Sequence, residues 1–201
     1  MAQNDERICA VTAAMGAGTG LDRFCEKYRD RFFDVGIAEE HALTFGAGLA
    51  AAGMKPYVAI YSTFLQRGYD NIIHDIALQN LPVRIMIDRA GLAPSDGATH
   101  HGVFDLAYFS CVPNMIVASP MNELELRNML HSAIDTPTPY AIRYPRGCGM
   151  GVEWKGKPFE MIATGKGRVI KSGDDVAVLT IGPVGNFASE AISRVEAAGK
   201  A

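Results

Sequence analysis

Tyr57-Val58-Ala59-Ile60-Tyr61-Ser62-Thr63-Phe64-Leu65-Gln66-Arg67 and, further on, Val83-Arg84-Ile85-Met86-Ile87-Asp88-Arg89-Ala90-Gly91 decide how this chain is read. Tyr57–Ile60 and Val83–Asp88 are apolar runs of strand length, and each gives way abruptly to a polar, loop-like group. Between them Phe64–Leu78 has the length and spacing of a helix, with Ser62 and Thr63 available as caps. Strands joined through a helix of this length run parallel, because a tight turn returns the chain antiparallel.

The alternation extends outward from this unit. Ile8–Ala14, Phe32–Val35, Met115–Ala118 and Tyr140–Arg143 read as strands. Leu21–Tyr28, Glu39–Ala52 and about Glu123–Ile134 read as helices, the last with Asn122 and Glu125 spaced as a capping box. The expected fold class is α/β, a mostly parallel sheet with helices on both faces, formed by residues 1–150. Residues 151–165 hold Gly, Pro, Lys and the single Trp154 without a clear period, and read as a linker. Gly167–Ile170, Val176–Ile181 and a helix from about Pro183 to Ala198 read as the opening βα unit of a second domain over 166–201. One βα unit cannot bury its own sheet face, so the chain is expected to be a piece of a larger protein.

Composition narrows the function classes. The 201 residues are 48% hydrophobic and 20% charged, with a formal charge of -3, enough apolar content for a sizeable core. A pI of about 5.9 and mean hydropathy of +0.06 give no footprint for nucleic acid, and no apolar run approaches the length of a membrane span. The N-terminus has no apolar signal core. Cys9, Cys25, Cys111 and Cys148 form no C-x-x-C pair or zinc spacing, which suits reduced thiols in a cytoplasmic protein and no metal ligation.

Residues that could do chemistry gather where strands end. Glu39 opens a helix beside Gly36 and Ala38. An acid in a first turn is ordinary helix-dipole chemistry, and Glu40 suits that role equally. Glu39 facing inward from apolar surroundings could instead donate a proton to, or share one with, a ring nitrogen. Tyr61, Phe64 and Tyr69 read first as core aromatics, yet a Tyr-Ser-Thr-Phe loop after a strand could stack a flat heterocycle, with Phe64 nearest the strand end. Arg67 alone would be a solvated surface group. Arg89 stands at the carboxyl end of its strand, where ligands bind in open α/β sheets, and Arg146 occupies a similar exit. Two convergent guanidiniums suit a phosphate. Asp96, His100 and His101 lie in a Gly- and Pro-containing loop and suit acid–base work or contact with a substrate oxygen. His74 reads as structural and His131 as lying on a solvated helix face. Gly16-Ala17-Gly18-Thr19-Gly20 follows the first strand but lacks G-x-G-x-x-G spacing and a following lysine, so it does not indicate dinucleotide binding.

The segments Gly36–His41, Tyr61–Arg67, His74–Gln79, Ile87–Gly91 and Asp96–Asp105, in this order, resemble the pyrimidine-binding domain of thiamine-diphosphate enzymes of the transketolase group. Within that group they are most similar to the 1-deoxy-D-xylulose-5-phosphate synthases. The resemblance covers roughly Ile8–Gly151. It implies that Glu39 hydrogen-bonds N1′ of the aminopyrimidine, favouring the tautomer whose 4′-nitrogen takes the thiazolium C2 proton. It also implies that Phe64 stacks on the pyrimidine and that Ile37 and Arg67 border the cofactor. His100 would assist proton transfer, and Tyr61, Arg89, Asp96 and Arg146 would line the substrate channel. The implied reaction condenses pyruvate with glyceraldehyde 3-phosphate to 1-deoxy-D-xylulose 5-phosphate and carbon dioxide, a precursor of isoprenoids, thiamine and pyridoxal. The beta subunit of a 2-oxo-acid dehydrogenase, half of a split transketolase, and a non-catalytic dimerisation module are the alternatives. Glu40 stands where the family more often has Gln. The family's Gly-Asp-Gly…Asn motif for Mg²⁺ and diphosphate does not occur. The chain is therefore expected to need an N-terminal diphosphate-binding domain or subunit, to be inactive alone, and to act as a homodimer.

Overall fold

The computed structural model describes residues 1–199, and Lys200 and Ala201, the last two positions of the expected second domain, lie outside the described residues. Six parallel strands form one sheet: β1 (Ile8–Thr12), β2 (Phe32–Asp34), β3 (Lys55–Tyr61), β4 (Arg84–Asp88), β5 (Ile116–Ala118) and β6 (Tyr140–Arg143), in the order β2-β1-β3-β4-β6-β5. The α/β class and the strand positions follow the sequence pattern. The chain runs from β1 outward to β2 and then returns to the far side of β1, which makes the β1/β3 boundary a switch point. Registers Thr12↔Ala59 and Tyr61↔Asp88 bring the carboxyl ends of β1, β3 and β4 side by side there.

Alternate side chains face two cores. Val58, Ile60, Ile85 and Ile87 pack with Ala42, Leu43 and Ala47 of α2 (Glu39–Ala51) on one face. Tyr57, Ala59, Met86 and Ile142 pack with Met129, Ala133 and Ile134 at α6 (Glu123–Ser132) on the other. Each fully buried Leu or Ile stabilises the fold by roughly 1.5–3 kcal/mol. The expected capping box is present in a variant form. Asn122 Oδ1 accepts the Glu125 N–H at 2.9 Å, while the Glu125 carboxylate takes the Met121 N–H at 2.6 Å.

Three expectations need correction. The helix expected over Phe64–Leu78 is broken into α3 (Ser62–Leu65), a 3₁₀ turn (Gln66–Gly68), α4 (Tyr69–Asn71) and a π turn (Ile72–Ala77). Ser62 and Thr63 do not cap it. The cause is tertiary: Gly68 sits where a Cβ would run into Leu43 Cδ1 of α2, and the π turn keeps Ile72, Ile76 and Ala77 buried against the same helix. Second, the strands expected at 167–170 and 176–181 are not formed. A strand needs a neighbour for its N–H and C=O groups, and none adjoins this stretch among the described residues, so Val176 and Leu179 are 79% and 96% exposed. The expected helix does form, as α7 (Val184–Ala197), tied down by Asn186 Nδ2 donating to Met121 O at 2.8 Å. Third, His131 is not on a solvated face: its ring stacks on Phe159 at 4.2 Å, with Arg127 over the same Phe159 ring at 3.8 Å. Residues expected to be a linker thus lie along α6, where Ile162 N–H also donates to Ser132 Oγ at 2.8 Å.

Burial also separates the cysteines. Cys9 in β1 is fully buried, and burial pushes its thiol up to about 11, while Cys111 and Cys148 are exposed. Brief treatment of the native chain with iodoacetamide near pH 8, followed by peptide mass spectrometry, is expected to label Cys111 and Cys148 and to spare Cys9 until denaturant is added. Labelling of Cys9 at the same rate would contradict this burial.

Candidate functional site

The carboxyl ends of the strands position the site, and Asp34 organises the first part of it. Its Oδ1 accepts the N–H groups of Ala14 (2.8 Å) and Gly36 (3.0 Å), tying the exits of β1 and β2 together. Gly36 then turns at φ +74°, a conformation open to glycine, and the chain enters α2 with Glu39 as its first residue. Glu39 is 2% exposed. Arg67 Nη1 lies 3.1 Å from its Oε2, while Oε1 accepts no hydrogen bond among the described residues. The same guanidinium stands 5.9 Å from the centre of the Phe64 ring. A buried carboxylate with one open oxygen beside an aromatic ring suits a flat nitrogen heterocycle.

From Phe64 the contacts continue in a row. Phe64 and Tyr61 stack at 5.7 Å and 19°, and His100 meets Phe64 edge-on at 5.3 Å. Tyr61 lies under Arg89, whose guanidinium carbon is 3.6 Å from the ring centre. Asp96 Oδ2 accepts a hydrogen bond from Arg89 Nε at 3.0 Å and forms an ion pair with Arg146, whose Nε lies 3.2 Å away. The histidine pair divides its duties. His101 Nδ1 accepts the Ala93 N–H at 3.0 Å, which fixes the neutral tautomer protonated on Nε2 and makes it a loop brace. His100 is the one that faces the aromatic pair. Thr63 Oγ1 donates to Thr99 O at 3.0 Å and ties this loop to α3.

A cavity of about 510 Å³ opens at this end of the sheet, lined by Gly18, Thr19, Arg89, Glu123, Arg146 and Met150 among others. It takes in Arg89 and Arg146 but not Glu39, Phe64, Tyr61 or His100. Glu39, Arg89 and His100 therefore do not share one hollow; they are linked by a row of contacts leading out of the cavity, from Glu39 through Arg67, Phe64 and Tyr61 to Arg89, with His100 against Phe64. Ile37 stands apart, 81% exposed.

Sequence reading named Asp96 but missed the Asp88 carboxylate and the Gly18 carbonyl, two other groups that hold Arg89. This residue adopts φ +57°, which a non-glycine residue reaches only when its surroundings impose it. Asp88 Oδ1 accepts the Arg89 N–H at 2.6 Å, and its Oδ2 lies 3.3 Å from Arg89 Nη1. Burial raises the Asp88 carboxyl above the ordinary range, and Arg89 opposes that shift. Arg89 Nη1 also donates to Gly18 O at 3.3 Å. The Gly91 and Gly102 backbones exchange hydrogen bonds of 2.7 and 2.8 Å, closing the neck of the 92–101 loop. Behind it Asp105, 1% exposed, receives Arg143 Nε at 2.9 Å and Nη2 at 3.2 Å. The glycine spacing after β1 was the one sequence signal for Gly18.

A family model described as the transketolase pyrimidine-binding domain matches residues 1–150. The chain is 57% identical over 175 residues to a 1-deoxy-D-xylulose-5-phosphate synthase of Dictyoglomus turgidum, covering 87% of this chain and 28% of that protein. It is 53% identical over 193 residues to the enzyme of the same name from Cytophaga hutchinsonii, covering 95% of this chain and 30% of that one. The chain thus spans under a third of the length of these relatives. Among solved structures, a split-gene transketolase in an inactive β4 tetramer superposes with a TM-score of 0.83 at 30% identity, over 98% of this chain and 63% of that one.

Gly102 tests the neck of the loop. A Cβ there would fall 2.5 Å from both Arg89 O and Ser62 Oγ. Gly102→Ala is expected to lower stability by about 1–3 kcal/mol in urea unfolding, with an unchanged denaturant slope. A loss below about 0.5 kcal/mol would contradict this packing.

Proposed function

The chain belongs to the family of transketolase pyrimidine-binding domains, and on that footing we propose that it forms the pyrimidine half of a thiamine-diphosphate site in a 1-deoxy-D-xylulose-5-phosphate synthase. The whole enzyme would condense pyruvate with glyceraldehyde 3-phosphate, giving 1-deoxy-D-xylulose 5-phosphate and carbon dioxide for isoprenoid and thiamine synthesis. The observation that carries this reading is the Glu39 carboxylate, buried, held on one oxygen by Arg67 and open on the other, with Phe64 beyond the same guanidinium.

Thiamine diphosphate, when bound, supplies the carbon that attacks the donor's carbonyl. The protein's own part is to orient and to move protons. Glu39 Oε1 holds a proton at the ring nitrogen of the aminopyrimidine, and Arg67 keeps the carboxylate from turning away. Phe64 gives the pyrimidine an aromatic face. His100, set edge-on to Phe64, moves a proton at the substrate oxygen. Arg146 has a side chain 39% exposed, and its Nη groups make no hydrogen bond among the described residues, so it can grip the acceptor's phosphate. Arg89 contributes less to that grip, because Asp88, Asp96 and Gly18 already take most of its donors. Tyr61 and Asp96 set the direction of the two arginines.

Diphosphate and Mg²⁺ fall to an N-terminal domain or subunit in this reading, and residues 166–201 to the opening of a further domain. Ile37, Leu92, Val103 and Phe104 are apolar, exposed, and close in sequence to site residues, which supports a homodimer closing over this end of the sheet. No helix among the described residues is long and apolar enough to cross a membrane, which fits the cytoplasmic location proposed. The superposition on a split-gene transketolase chain supports a second reading, a subunit of a two-chain transketolase. Supplying the diphosphate-binding partner separates them: the synthase turns over pyruvate with glyceraldehyde 3-phosphate, and a transketolase xylulose 5-phosphate with ribose 5-phosphate.

In the complete enzyme, Glu39→Gln is expected to lower turnover by about 10²–10⁴-fold. Unaltered turnover would remove Glu39 from the mechanism. Calorimetric titration of the 201-residue chain with thiamine diphosphate and Mg²⁺ is expected to show no micromolar binding. Micromolar affinity would contradict the assignment of the diphosphate site to a partner.

A further inference from the structure

The Gly16–Gly20 turn, which no role so far absorbs, leaves β1 at the switch point and meets the residues leaving β3 and β4. It is tightly wound. Thr19 N–H and Oγ1 both donate to Met15 O, at 2.9 and 2.8 Å, and Leu21 N–H donates to Gly16 O at 2.9 Å. Its apex, Gly18, faces the Tyr61–Arg89 pair. A Cβ built on Gly18 falls on the Tyr61 hydroxyl, well inside van der Waals contact, with ring carbon Cζ at 2.9 Å. Gly18 O receives Arg89 Nη1 at 3.3 Å. Gly18, Thr19 and Gly20 also line the cavity that Arg89 and Arg146 line from the other side.

Gly18 is not among the residues with positive φ. Its backbone conformation is open to alanine, so what requires glycine here is the neighbour and not the backbone. Gly16 in the same turn is the contrast: a Cβ there meets Asp22 Oδ1 and Phe32 Cζ at 3.6 Å, an ordinary contact.

We propose that Gly18 is a positioning and specificity-determining residue of the acceptor site. The missing side chain lets the Tyr61 ring lie flat beneath Arg89, and the carbonyl steers the guanidinium toward Asp96 and Arg146. A side chain at position 18 pushes the Tyr61 hydroxyl aside, tilts the ring under Arg89 and misplaces the guanidinium for a phosphate-bearing acceptor. The cofactor side of the site, centred on Glu39 and Phe64, meets the turn only through the Tyr61 ring, which stacks on Phe64 at 5.7 Å. The inference rests on the reading of Arg89 and Arg146 as the grip on the acceptor's phosphate.

The test uses the complete enzyme with its diphosphate-binding part, measuring KM separately for glyceraldehyde 3-phosphate and for pyruvate. Gly18→Ala is expected to raise KM for glyceraldehyde 3-phosphate by about tenfold or more, and to change KM for pyruvate by less than about twofold. Gly16→Ala is expected to leave both constants unchanged. Adding Tyr61→Phe to Gly18→Ala removes the hydroxyl on which the new methyl falls, and is expected to reverse part of the rise. An unchanged acceptor KM in Gly18→Ala, an equal rise for both substrates, or an equal effect of Gly16→Ala overturns the proposal. If Gly18→Ala fails to fold, recovery of a cooperative melt in the double variant supports it, and no recovery overturns it. Arg89→Ala and Arg146→Ala separate the two levels. If neither raises KM for glyceraldehyde 3-phosphate, the phosphate reading fails; if they do and Gly18→Ala does not, the present inference alone fails.

Discussion

The guanidinium of Arg89 joins separate stretches of chain at the carboxyl edge of the sheet. It reaches Asp88 beside it, Asp96 in the following loop, the carbonyl of Gly18 after β1 and the ring of Tyr61 at the end of β3. A cation this enclosed is stable only where acceptors surround it, since burying an unpaired charge costs far more than any one hydrogen bond returns. Arg89 therefore constrains where all of these groups can lie. Its left-handed backbone is part of the same constraint, because Asp88 secures the main-chain N–H as well as the side chain.

Charge is handled differently at the two ends of the sheet. Arg84, 2% exposed, donates to the carbonyls of Ala133 and Ile134 at 2.8 and 2.6 Å, where α6 ends, and so holds that helix end against the amino end of β4. Its Nε, Nη1 and Nη2 each donate to main-chain carbonyls within the fold. At the carboxyl end, the Nη groups of Arg146 make no hydrogen bond among the described residues and Glu39 keeps an open oxygen, so both a cation and an acid there retain capacity for a ligand. This is the arrangement an open parallel sheet offers a ligand, since loops leaving adjacent strands at a switch point diverge and leave room between them.

The parts legible in the sequence are those set by neighbours along the chain. Val83–Asp88 and Tyr57–Ile60 read as strands because burial on both faces demands unbroken apolar runs, and Asn122 with Glu125 read as a helix start because capping is local. Glu39, Arg89 and Arg146 were visible as residues at element ends. What failed depended on contacts across the fold. The break at Gly68 is dictated by Leu43 in another helix, and the strands expected at 167–170 and 176–181 have no partner to pair with among the described residues. Gly18 reads in the sequence only as part of a glycine turn without dinucleotide-binding spacing, since its meaning lies in Tyr61, which only the order of the strands brings alongside it. The two histidines were equivalent in sequence and separate in space, one facing Phe64 and the other bracing Ala93.

Hydrogen exchange by mass spectrometry on the chain and its Arg89→Ala variant tests the central role of that guanidinium most directly. Amides of residues 17–21 and 92–101 are expected to exchange about tenfold faster or more in the variant, while those of 57–60 and 85–87 keep their protection. Unchanged exchange in both loops would show that they are held without Arg89, and the site described around it would have to be abandoned.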